Sequence, residues 1–204
     1  MYSEEKQKEI LDLYSREMEI IKLRTNMIFS IGDKLEFLQP TVEFQALQLR
    51  KIIEQIVLSS LIANADTYKT YYDRLEHEWN ARLICRDIKR IHEDYFPASV
   101  IGTDESINDC PDRTIFEEEL LKAYEKTGKM LHSKNPFSSS IDYHSEQKYI
   151  IDTCNRIVRF LNVHRIRIYG DDDFLYVVMK SQRNGHVAIN WFSKVEEGED
   201  EISI

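Results

Sequence analysis

Between Thr41 and Ala63 the chain reads TVEFQALQLRKIIEQIVLSSLIA, and apolar residues fall on almost every side of the helix this segment predicts. Phe44, Leu47, Ile52, Ile56 and Leu61 recur at helical spacing, and Leu49, Ile53, Val57 and Leu58 widen the stripe. A helix that is apolar on most of its surface has to be enclosed by other elements. The segment therefore predicts a central helix, and the rest of the chain must supply its cover. Pro40 and Thr41 mark its start as a break from what precedes it.

The cover is legible on both sides. Residues 4 to 35 read as one long amphipathic helix, with Ile10, Leu13, Tyr14, Met18 and Ile21 on its apolar face. Further helices are predicted over 66–78, 80–94, 114–131 and 143–162, and residues 97–113 and 132–142 read as irregular connections. After residue 162 the period changes from helical to alternating. Arg165-Ile166-Arg167-Ile168-Tyr169 alternates as a half-buried strand does, and Phe174 to Met179 is apolar on both faces, as a central strand is. Asn184-Gly185 fits a type I′ hairpin turn, and Val187, Ile189 and Trp191 alternate after it. The expected fold is α+β, mainly α: about six helices in a bundle (1–163), a three-stranded antiparallel meander packed on it (164–195) and an acidic, disordered tail (196–204).

Bulk chemistry narrows the function classes. The chain has 204 residues and a net charge of −9, so broad phosphate neutralisation on DNA is not expected. No stretch approaches the roughly 20 apolar residues of a membrane span, and the charged start MYSEEKQKEI lacks a signal core. Cys85, Cys110 and Cys154 are odd in number and widely spaced, which suggests reduced thiols in the cytoplasm rather than disulfides or zinc. Asp171, Asp172 and Asp173 lack the further ligands of a calcium loop, so no metal or other cofactor is expected. Phosphate-loop, dinucleotide, nucleophile-elbow and zinc-protease motifs are absent.

Three groups of residues remain as candidate sites. Arg86, Asp87 and His92 lie on the predicted helix 80–94: a histidine can activate a ribose hydroxyl near neutral pH, and an arginine can stabilise charge on a scissile phosphate. Arg159 and His164 repeat the same spacing. Arg50 and Glu54 stand four residues apart on the otherwise apolar central helix and imply a polar site or a structural ion pair. His132, Lys134 and Asn135 cluster at a helix end, where they suit anion binding or simply a helix stop. Tyr68, Tyr71, Tyr72 and Trp79 add an aromatic group suited to packing or to stacking.

The spacing from Arg86 to His92, together with the central helix, resembles the HEPN superfamily of bacterial conflict systems. That resemblance implies a metal-independent ribonuclease in which Arg86 and His92 act and Asp87 orients one of them, with RNA as substrate. The favoured expectation is different: a non-catalytic interaction or regulatory module with a protein partner or a second copy of itself. A third is a binding protein for a small anionic ligand held by Arg50, Glu54, His132, Lys134 and Asn135.

Overall fold

A computed structural model describes residues 2–31, 37–64, 80–101, 108–109, 113–133, 137, 140–168 and 173–193. Among them are five helices: α1 (Glu4–Ile31), α2 (Leu38–Ala63), α3 (Ala81–Lys89), α4 (Arg113–Met130) and α5 (Tyr143–Leu161). The strands are β1 (Ala98–Ile101), β2 (Asn108–Asp109), β3 (Val163–Arg167), β4 (Phe174–Val178) and β5 (Ala188–Phe192). The helix expected over 66–78 and the tail from Glu196 lie outside the described residues.

Helix α2 is the centre of the molecule. It packs against α1, α3, α4, α5 and β3. Leu49, Ile52, Ile53 and Ile56 are fully buried, as the wide apolar surface demands. Pro40 sits inside the first turn rather than before it. A proline is tolerated there, because that turn has no intrahelical acceptor for its amide. One stripe, Leu47, Lys51 and Leu58, stays exposed.

Hydrogen-bonding side chains on α2 lace it to its neighbours. Gln48 and Gln55 accept from Arg24 of α1 at 2.6 and 3.0 Å, and Gln45 donates to the Ile28 carbonyl at 2.8 Å. Gln147 of α5 donates to Gln45 at 3.3 Å. Each buried amide thus finds a partner, as burial requires.

Local signals start the other helices. Ser3 accepts from the Lys6 amide, Asn80 from Arg82 and Leu83, and Asp142 from His144 and Ser145. These side chains satisfy amides that a helix start leaves open. Helix α3 stops at Lys89, short of the expected residue 94. The reason is downstream: Tyr95 and Phe96 are buried, and the chain must turn to place them in the core. The amides of Ile91 and His92 both bond the Ile88 carbonyl in that turn.

The sheet is larger than the expected meander. Its order is β2-β1-β3-β4-β5, antiparallel throughout, with four full strands and the two-residue β2 at one edge. The segment expected to be irregular over 97–113 therefore contains β1 and β2. β1 covers the edge of β3, Ala98 opposite Arg165 and Ser99 opposite His164, so fewer backbone groups are left unpaired there. His164, Ile166, Leu175 and Val177 face the helices and are buried.

The connection from β4 to β5 is not a two-residue type I′ turn. That turn needs positive φ at both central residues, and among the described residues Gly185 alone has it, at 74°. The strands separate at Val178 and Ala188, and the loop between them is tied to α1 instead. Lys22 donates to the Gly185 carbonyl at 2.9 Å, and Glu19 accepts from the Val187 amide at 2.7 Å.

Candidate functional site

Helix α3 turns Ala81, Ile84, Cys85 and Ile88 inward, which leaves its cations on the outer side. Each of those cations meets an acid. Arg86 pairs with Asp87 at 2.8 Å, and Arg90 approaches the same carboxylate at 3.7 Å. Lys89 pairs with Glu117 at 3.4 Å, and Arg82 with Glu125. The structure thus joins Arg86 to Asp87. It places His92 past the helix end, half-buried in the turn.

Beneath α3 lies a polar group that sequence reasoning missed. The buried Glu117 carboxylate accepts a 2.8 Å hydrogen bond from the Tyr95 hydroxyl. The Cys85 thiol lies beside this pair, and its pKa is pushed up to about 12, chiefly by burial. Burial also raises the Tyr95 phenol. Such a thiol stays protonated at neutral pH and is a poor nucleophile. The group ties α3, the Tyr95 turn and α4 together. Its one sequence signal is an acid, Glu117, beside Phe116 on the apolar side of α4.

Arg50 is the second candidate, and it is fully engaged. Its Nε lies 3.3 Å from Glu54, and its Nη1 donates to the Tyr124 carbonyl at 3.1 Å. The guanidinium sits 3.7 Å from the centre of the Tyr124 ring, a cation–π contact. Arg50 is therefore a clamp from α2 onto α4. Gly128 makes room for it: a Cβ there would come within 2.8 Å of the Arg50 Nη1. His132 is exposed beyond the end of α4, and Lys134 and Asn135 lie outside the described residues.

This fit has a measurable consequence. Alanine in place of glycine within a helix is worth about 1 kcal/mol. In the native protein that gain is offset by displacement of Arg50, so Gly128→Ala is expected to change stability little. In an Arg50→Ala background the same change should stabilise by about 1 kcal/mol, giving a coupling of that size in a double-mutant cycle. Equal effects in both backgrounds would show that Gly128 is not shaped to the arginine.

Of the remaining motifs, Arg159 is exposed on α5, while His164 and Asp173 are buried in structural contacts. His164, on the repeated spacing, is buried on the inner face of β3. Its Nδ1 donates to the Leu161 carbonyl at 2.8 Å, and its Nε2 accepts from the Tyr14 hydroxyl at 3.0 Å. The carbonyl can only accept, so Nδ1 carries a proton; burial lowers the ring's pKa to about 4, so at neutral pH Nε2 is bare and accepts from Tyr14. Asp173 accepts from the Trp191 indole at 2.9 Å and is buried. Asp171, Asp172, Cys110 and the aromatic group from Tyr68 to Trp79 lie outside the described residues. Among the described residues, no group of three or more His, Cys, Asp or Glu could hold a metal ion. No described helix is long and apolar enough to cross a membrane.

One surface stands apart from these satisfied networks. The contact between α1 and α2 runs through Glu17, Arg24, Gln48 and Gln55. On the solvent side of that seam, Leu23 is 59% exposed, and Met27, Leu47 and Leu58 are each 40% exposed. With about 100° per residue, Leu13, Ile20, Leu23 and Met27 share one flank of α1. Phe44, Leu47, Leu58 and Ile62 share the adjoining flank of α2. The four others, Leu13, Ile20, Phe44 and Ile62, are half-buried.

No protein-family model, curated protein or solved structure matches this chain.

Proposed function

We propose that this protein is a non-catalytic interaction module, and that the outer face of the α1–α2 hairpin receives an amphipathic helix of a partner protein. The observation behind this reading is the row of exposed leucine and methionine side chains along that hairpin. Rows of this kind accept helices whose apolar residues repeat every three to four positions. The candidate catalytic and ligand-binding cations support the reading from the other side. Arg86 and Arg50 are spent on Asp87, Glu54 and Tyr124. The free thiols Cys85 and Cys154 are buried, which suits a protein that works in the reducing cytoplasm.

Affinity capture tests it. The native protein should retain one partner in fixed ratio, and the double variant Leu23→Glu, Met27→Glu should lose at least nine-tenths of it. Both positions are exposed, so the melting temperature should stay within about 2 °C of native. A partner held equally by the variant would end this assignment of the surface.

A further inference from the structure

On the other flank of α1, a groove of about 390 Å³ opens between α1, α5 and the loop that joins β4 to β5. Its floor is apolar: Ile157, Leu161 and Met179 reach it from the core. Its walls include Phe29 and Val158, which remain 41% and 44% exposed. Side chains of that kind, left open inside a concave surface, are the usual lining of a small-molecule site, and the volume falls in the range of such sites.

Two lysines, Lys22 and Lys180, line the mouth. Lys22 is held by Glu19 at 2.9 Å and by the Gly185 carbonyl. Lys180 is exposed and makes no ion pair among the described residues. With Lys22 paired to Glu19, Lys180 is the cation that this apolar groove offers to an anionic headgroup.

We infer that the groove binds a monocarboxylate with a hydrocarbon tail: the tail packs against Phe29, Val158 and the edge of Met179, and the carboxylate pairs with Lys180. The groove is bounded by α1, α5 and the β4–β5 loop, and its volume fits a single short tail better than the long face of a helix. The site does not depend on the α1–α2 surface, and it is separate from Arg50 and His132.

Calorimetric titration of the full chain with decanoate, kept below its micelle concentration, tests the inference. One saturable site is expected, with decanol binding at least tenfold more weakly. Lys180→Glu should weaken decanoate at least tenfold, and Val158→Glu, which puts a carboxylate on the wall, should abolish it. Both positions are exposed, and an unchanged helical circular dichroism spectrum confirms that each variant is folded. Absence of a saturable site overturns the proposal. So does decanoate binding that neither variant alters, or decanol binding as tightly as decanoate. Saturable binding only of an acidic amphipathic peptide would assign the groove to a protein partner and equally overturn it.

Discussion

Replacing Ile56 by alanine is expected to lower the folding free energy by about 3–4 kcal/mol, the cost of a large-to-small change that leaves a cavity. Ile56 lies in the middle of α2 and is fully buried. Its helix touches α1, α3, α4, α5 and β3, so no single neighbour can move in to fill the space. For a chain of this size the loss corresponds to a fall in melting temperature of about 10 °C. Leu58, two residues on, is 40% exposed and is the control. Leu58→Ala should cost about 1 kcal/mol or less. Urea unfolding of the two variants checks the contrast, with slopes expected to match the native protein. Similar losses at both positions would mean that α2 is not enclosed as described.

Acid is expected to have a comparable effect through His164. Burial in the core lowers its pKa to about 4, against the ordinary 6.5. The bond from Nδ1 to the Leu161 carbonyl works in the opposite direction and does not offset this. The folded protein therefore binds this proton less readily than the unfolded chain. Its stabilising contribution is complete above pH 6.5 and declines as the pH falls from 6.5 toward 4. The full loss is about 3 kcal/mol, from about 1.4 kcal/mol for each pH unit of difference. His164→Gln removes the titration, so the native-minus-variant difference in stability should shrink as the pH is lowered across that window. A difference that stays constant from pH 7 to pH 4.5 would show that the ring already carries its proton in the folded state, or meets solvent.

The two sites differ in how far the sequence announces them. Enclosure of α2 is readable because Leu49, Ile52, Ile53 and Ile56, with Val57 and Phe44, leave a lone helix no polar side to show to water. The alternation of β3 likewise announces that His164 and Ile166 share a face. The partner of His164 is not announced. Tyr14 lies 150 positions earlier, and nothing in helical spacing says that its hydroxyl will meet a strand. β1 is hidden for the same reason. Ala98 to Ile101 is only four residues long, and it becomes a strand by pairing with β3, more than sixty positions away.

The candidate sites follow this division between local and distant information. The pairing of Arg50 with Glu54, four residues apart on one helix, is local and was legible. The Tyr124 ring and carbonyl that complete the clamp are distant. Gly128, which interrupts the apolar stripe of α4, was the trace they left in the sequence. The pairing of Arg86 with its neighbour Asp87 is also local, yet a motif defined by spacing alone does not show which cations a fold has already neutralised. Gln45, Gln48 and Gln55 tie α2 to its neighbours without any periodic signature, because an amide side chain reads as polar whether it bonds water or Arg24.

Hydrogen exchange of the protein, alone and in complex with a captured partner, bears most directly on the interaction module proposed here. Added protection is expected along residues 13–27 of α1 and 44–62 of α2, with residues 86–92 unchanged. Protection confined to residues 86–92, with the helical hairpin exchanging as it does in the free protein, would contradict the account.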